Sequence, residues 1–171
     1  MLDHFRMFAD YNRWANDRLL AALEPMSDDD WHRDAELFFR SVHGTLNHLL
    51  VADRVWFSRF KGAPWAPGRL DLVLHEKRDE LVPARRRMDE EIRDWVAGLG
   101  EADLEADFTY APVGNPEPVT LKLRVALAHV FNHQTHHRGQ IHAATTRFLD
   151  VSPALDLIYF ELEQRPGRSP C

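Results

Sequence analysis

The stretch "HVFNHQTHHRGQIHAATT", residues 129–146, carries five histidines on a segment with helical periodicity. On a helix, residues four apart lie on nearly the same face, one turn from each other. His133 and His137 have this spacing, so their imidazoles can bind one cation at about 2.0–2.1 Å from each nitrogen. The segment therefore predicts a helix that carries part of a metal site.

The spacing alone leaves two chelating pairs open. His129 is four residues before His133, but it lies roughly 12 Å along the helix from His137, too far for all three to share one ion. The pair is therefore either 129/133 or 133/137. His136 can replace His137 sterically, whereas His142 points well away from the pair.

An apolar stripe continues the face of the 133/137 pair through Ile141, Ala144 and Phe148. This alignment predicts that the pair faces the interior of a helical bundle. Buried neutral imidazoles need partners for their nitrogens, and a cation supplies one for each. In the alternative interpretation these histidines are structural and bind carbonyl groups and water.

A third ligand must come from another helix, because two ligands on one helix make a weak site. A ligand fixed by packing in the middle of a helix is better preorganised, which favours His48 in "GTLNHLLVADRVW". The segment also differs from the HExxH protease motif, since Gln134 occupies the place of the glutamate base. Peptidase activity by that route is not expected. The candidates for the third ligand are His4, His32, His43, His48 and His75.

Apolar periodicity predicts an all-α fold, a bundle of four long helices in one domain over residues 1–164, followed by a flexible tail at 165–171. In the second helix the stripe includes Asp53. Pro83 is expected to kink the third helix or to mark a later start. "FTY" and "PVTL" flank a Gly-Asn-Pro turn and predict a small hairpin before the last long helix. The predicted helices cover six turns before Pro25, about 41–61, about 72–99, from Thr120 as N-cap to 148, and a short C-terminal segment from near Pro153.

The composition excludes several classes of protein. The chain has 171 residues, of which 28% are charged, and its net charge of −6 argues against nucleic-acid binding. The basic run "PARRRM", residues 83–88, is interpreted as a solvated helix face. Cys171 is the single cysteine, so no disulfide can form within the chain. With no signal peptide and no apolar stretch of about 20 residues, we expect a cytoplasmic protein without a membrane partner.

Four stretches of the chain resemble the DinB-like superfamily of metal-dependent proteins. They are "YNRWANDRLL" (11–20), "GTLNHLLVADRVWFSRF" (44–60), "HVFNHQTHHRGQIHAA" (129–144) and "DLIYFELE" (156–163). The most specific feature is a histidine in the second helix followed much later by HxxxHRGQ. The resemblance implies an up-and-down four-helix bundle, often a homodimer, with a divalent metal held by three histidines at one end.

Mapped motif by motif, the resemblance implies that His48, His133 and His137 are the metal ligands. His129 then becomes a neighbour of the ligands, and Arg138 and Gln140 look like residues that support the site. The expected cofactor is a divalent metal ion, zinc or nickel, with iron and copper as alternatives.

Some members of the superfamily transfer mycothiol, bacillithiol or glutathione to other molecules. A metal with three histidine ligands keeps an open position, and a thiol that enters there loses its proton more easily. We therefore expect an S-transferase that joins a small-molecule thiol to an electrophile in detoxification. The alternatives are a metal-binding stress-response protein without turnover and a metal-dependent hydrolase.

Overall fold

The computed structural model describes residues 1–115 and 117–165. Within them the chain forms helices and one antiparallel hairpin, which confirms the predicted all-α bundle and the predicted hairpin. The tail from 166 to 171 lies outside the described residues. The elements are α1 (Leu2–Ala22), α2 (Asp28–His32), α3 (Val42–Phe60), α4 (Arg78–Ala97), α5 (Glu101–Leu104), β1 (Asp107–Tyr110), β2 (Val119–Lys122), α6 (Leu123–Leu149) and α7 (Leu157–Glu163).

The four long helices pack as a closed bundle. Helix α1 contacts α4 and α6, and α3 contacts the same two helices. Each helix contributes fully buried apolar side chains to one core, for example Leu19, Leu50, Ile92 and Ile141. None of the helices in the described part of the chain combines the length and apolar character needed to cross a bilayer.

Three helix starts differ from the prediction. Helix α6 begins at Leu123 rather than at Thr120, because Thr120 pairs with Thr109 in the hairpin. Helix α7 begins at Leu157 rather than near Pro153. Helix α4 begins at Arg78 rather than near residue 72, and it continues through Pro83.

Asn47 explains the late start of α4. Its side-chain oxygen accepts hydrogen bonds from the backbone N–H groups of Leu74, at 2.8 Å, and His75, at 3.1 Å. Nδ2 of Asn47 also donates to the carbonyl of His75 at 3.1 Å, and a helix starting near residue 72 would need that carbonyl for its own bond to the N–H of residue 79. The segment before α4 is held as a connector against the second helix of the bundle.

A charged network lies in the centre of the bundle, and it corrects the interpretation of the basic run. Arg85 belongs to that run but is only 1% exposed, so this part of "PARRRM" is not a solvated face. Its guanidinium lies 2.6 Å from the carboxylate of Asp53 on α3 and 2.9 Å from that of Asp89, one turn along α4. Asp53, which belongs to the predicted apolar stripe of α3, is therefore a buried ion-pair partner.

Side chains from α1 and α6 complete this network. Asn12 and Asn16 of α1 each donate to Asp89 at 3.0 Å. Arg138 of α6 donates to the side-chain oxygens of the same two asparagines, at 2.8 and 3.1 Å. The network thus joins all four long helices, and its two arginines balance its two aspartates.

Burial changes the pKa values of the charged groups in this network. It raises the pKa of Asp53 and raises that of Asp89 to about 6, although Arg85 acts in the opposite direction on both. Burial also opposes the charge of Arg85, but the two carboxylates outweigh it and raise the pKa of the guanidinium. The aspartates depend on Arg85 to remain charged in the core.

We expect Arg85→Met to destabilise the protein by about 3–5 kcal/mol, because it leaves two buried carboxylates without their cation. The matched control is Arg87→Met, two residues away on the same helix, where the side chain is exposed. That change should shift the free energy of unfolding by no more than about 0.5 kcal/mol. Urea unfolding of the three proteins measures both values, and equal midpoints for the two variants would contradict a structural role of the network.

Candidate metal centre

Three histidines from two helices come together between α3 and α6. His48 lies in the middle of α3, while His133 and His137 lie one turn apart on α6. Each offers one nitrogen to a group whose nitrogens all lie within 4.8 Å of one another. His48 and His137 are buried and His133 is half-buried. The geometry thus joins the 133/137 pair to His48 and leaves out the 129/133 pair.

Hydrogen bonds fix which nitrogen of two rings carries the proton. The Nδ1–H of His48 donates to the carbonyl of Leu70 at 2.9 Å. The Nδ1–H of His137 donates to Oε1 of Gln140, also at 2.9 Å. Both rings therefore keep a free lone pair on Nε2, which is the arrangement found in metal-binding histidines.

The approach of two of these nitrogens fits a shared cation. Nε2 of His48 lies 3.1 Å from Nε2 of His133. Two lone pairs at this distance repel each other unless a proton or a cation lies between them. A tetrahedral ion with nitrogen ligands at about 2.0–2.1 Å separates those nitrogens by roughly 3.3 Å. The donor set, three neutral imidazoles, suits a divalent transition metal.

Burial keeps the three imidazoles neutral. It lowers the pKa of His48 to about 4 and that of His133 to about 3, with neighbouring histidines acting in the same direction. Burial also lowers the pKa of His137, although the bond to Gln140 opposes this shift. At neutral pH all three rings are therefore in the form that binds a metal.

The residues predicted to support the site lie in different surroundings. Gln140 contacts the site directly, since it accepts from His137 and donates to Nε2 of His136 at 3.2 Å. Arg138 directs its hydrogen bonds into the core network described above. The ring of His129 lies 5.8 Å from that of His133, beside Trp56.

Three other histidines bind backbone carbonyls, while His4 packs on Phe5 and Phe8 and His75 lies 3.6 Å from the carboxylate of Glu80. Nε2 of His43 lies 3.0 Å from the carbonyl of His75, and Nδ1 of His32 lies 2.9 Å from that of Asp28. His142 binds the carbonyl of Pro153 at 3.1 Å, which agrees with its predicted direction away from the pair. The hydrogen bonds of His32, His43 and His142 to carbonyl groups agree with the alternative that these histidines are structural.

A cavity of about 940 Å³ opens at two of the candidate ligands, His48 and His137. Its apolar walls include Phe38 and Phe39 from the connector before α3 and residues 70–73 from the connector after it. Charged side chains, among them Arg40 and Asp71, also line it. Sequence reasoning missed these connector residues, and the only signal for them was an aromatic pair within a polar segment.

Comparison with known proteins gives the family. The model of the DinB family matches residues 1–165, nearly the whole chain and all three histidines. The chain belongs to the DinB family. It is similar to Protein DinB of Bacillus subtilis (strain 168), with 29% identity over 147 residues that cover 81% of this chain and 82% of that protein. Membership of the DinB family confirms the resemblance drawn from the sequence motifs.

We expect the purified DinB-family chain to bind one equivalent of a divalent metal. His48→Ala, His133→Ala and His137→Ala should each lower this to under about a tenth of an equivalent, because two imidazoles rarely retain an ion. His142→Ala, on the same helix as two of the ligands, is the control and should bind like the unaltered protein. Elemental analysis measures the stoichiometry, and retention of a full equivalent by the His133 variant would contradict the assignment.

We further expect the metal affinity to change little between pH 7.5 and pH 6. Protons compete with the cation only below the pKa of the ligands, and burial has lowered the pKa of His48 and His133 far below 6. Three imidazoles of ordinary pKa would lose affinity on the order of 50-fold over this range, whereas we expect less than about threefold. Competition with a chromophoric chelator at each pH measures the constant.

Proposed function

We propose that this chain is a divalent-metal-dependent S-transferase that joins a low-molecular-weight thiol to an electrophile. The observation that carries the proposal is the convergence of three neutral imidazoles at a cavity of about 940 Å³. Zinc and nickel are the proposed metals, with iron and copper as alternatives. The detoxification role follows from this reaction class.

The residues present fit the reaction because they supply a neutral ligand set. When bound, the divalent ion lowers the pKa of a thiol that reaches its open position. The chain holds that position without adding negative charge, since His48, His133 and His137 are all neutral donors. No protein nucleophile is needed, and Cys171 is the single cysteine in the sequence.

The cavity supports two reactants rather than one. Its volume of about 940 Å³ lies at the upper end of the usual range for small-molecule pockets, roughly 300–1,000 Å³. The walls from Phe38 and Phe39 suit the apolar body of an electrophile. Arg40, which pairs with Asp34, and Asp71, which pairs with Arg69, add polar surface for the polar groups of a thiol such as an amino-acid derivative.

Hydrolysis is a weaker candidate because the site lacks an evident general base at the expected position. Gln134 follows His133, where a protease of the HExxH type has its glutamate. It is fully buried, and it donates to the carboxylate of Asp53 in the core network. It therefore serves the core rather than a water molecule at the site.

A homodimer in the cytoplasm is part of this proposal. The dimer is inferred from the family resemblance, and sedimentation velocity of the purified protein tests it. The cytoplasmic location is supported by the reaction itself, because small thiols stay reduced in a reducing compartment.

We expect the metal-loaded protein to accelerate the reaction of monochlorobimane with at least one of cysteine, glutathione, bacillithiol and mycothiol by about tenfold or more at pH 7. His133→Ala should return the rate to the uncatalysed value, because the site then lacks the metal that lowers the thiol pKa. His142→Ala is the control and should retain the rate. Fluorescence of the bimane adduct measures the reaction.

Two outcomes would overturn the transferase proposal. Full metal loading with no rate above background for any thiol would support a metal-binding stress-response protein without turnover. Thiol-independent cleavage of p-nitrophenyl acetate that is lost in His133→Ala would support a hydrolase.

A further inference from the structure

Phe39 lies in the connector between α2 and α3 and contacts two of the three candidate metal ligands. Its ring stacks on the imidazole of His48, with centroids 3.7 Å apart and planes 16° apart. The same ring lies 5.5 Å from that of His137. Its neighbour Phe38 is 81% exposed, so the connector presents one aromatic ring to the site and the other to solvent.

The backbone of this connector adopts a costly conformation. Glu36 and Arg40 both have positive φ, at 60° and 69°, a region that residues with a Cβ rarely occupy. Such strain persists only where surrounding contacts determine it. Here the N–H of Ala35 donates to the carbonyl of Arg40 at 2.7 Å, and Asp34 accepts from the N–H of Glu36 at 2.9 Å.

Gly44 fixes the connector against the first turn of α3. A Cβ at this position would lie 2.2 Å from the carbonyl oxygen of Phe39, so only glycine allows this approach. His48 follows Gly44 by four residues on the same helix. The backbone of Phe39 and the ring of His48 are therefore held in a defined relation by one turn of α3.

The ring of His48 needs a second constraint besides its hydrogen bond. The bond from Nδ1 to the carbonyl of Leu70 selects the tautomer, but one bond leaves the imidazole free to tilt about it. A tilt would move Nε2 away from the nitrogens of His133 and His137. The face of Phe39, in stacking contact with the imidazole, opposes this motion.

We propose that Phe39 is a positioning residue that holds the imidazole plane of His48 so that its Nε2 points to the shared metal position. The proposal rests on the metal site of the proposed function. It assigns to a connector residue the task of preorganising a ligand, while the two ligands on α6 are ordered by the helix itself.

The first experiment uses the metal-free protein. Long-range ¹H–¹⁵N spectra of imidazole-labelled protein at pH 7.5 report the tautomer and the motion of His48, which is identified by its loss in His48→Ala. Phe39→Met keeps the apolar volume but removes the ring, and it should broaden the His48 signals, because the imidazole then tilts about its hydrogen bond to Leu70. Phe39→Tyr should give the signals of the unaltered protein, and Tyr159→Met, at an exposed aromatic residue on α7, should leave them unchanged.

The second experiment titrates the same proteins with Co²⁺. Phe39→Met should weaken the affinity by about tenfold and alter the visible d–d bands, as loss of a contact that orients a ligand usually does. Phe39→Tyr should stay within about threefold of the unaltered protein, as should Tyr159→Met. Backbone amide spectra verify that each variant is folded.

The outcomes separate this proposal from the metal assignment. Unchanged His48 signals in folded Phe39→Met, or equal effects from Tyr159→Met, would overturn the positioning role even if Co²⁺ binds. If the unaltered protein binds no Co²⁺, the metal function is wrong, while the nitrogen spectra still decide whether Phe39 orders His48. Should Phe39→Met fail to fold, Phe39→Leu takes its place with the same expected results.

Discussion

The buried ion pairs of Arg85 with Asp53 and Asp89 are the constraint on which the arrangement of the long helices depends. Charges in the core cannot separate without a large cost, so the helices that carry them are held in one register. Gln134 extends this constraint to α6, because it donates to Asp53 from a position between His133 and His137. The network therefore aligns the helix that carries His48 with the helix that carries its partners.

This alignment matters because metal binding tolerates little error. A helix that slipped by one turn would move its side chains by about 5.4 Å, more than the whole 4.8 Å spread of the three nitrogens. The apolar core alone specifies such a register less strictly, since apolar contacts are not directional. Hydrogen bonds donated to the carbonyl of Leu70 and to Oε1 of Gln140 then select the tautomers of two ligands. Apolar packing thus brings the helices together, the buried charges set their register, and local hydrogen bonds determine which ring nitrogen faces the site.

The sequence predicts the features that follow the 3.6-residue period of a helix. HxxxH spacing indicated a pair on α6, the mid-helix position favoured His48, and the family resemblance selected the 133/137 pair, but none of these could show that the histidines bind no other groups. The error at Arg85 arose because a run of three arginines was assigned to one face, although successive residues of a helix point about 100° apart. Its i,i+4 relation to Asp89 was the signal for a buried pair. The role of Phe39 could not be foreseen, since it depends on left-handed backbone at Glu36 and Arg40.

The helices and the connectors contribute different parts of the site, and this affects which positions can change in sequence. The candidate ligands belong to the rigid bundle, whereas much of the cavity wall belongs to the chain segments on either side of α3. Leu70 contributes to His48 through its carbonyl, which any amino acid at that position would also provide. Side chains at 70–73 can therefore vary without loss of the carbonyl that binds His48, so the shape of the cavity can change while the candidate ligands stay in place.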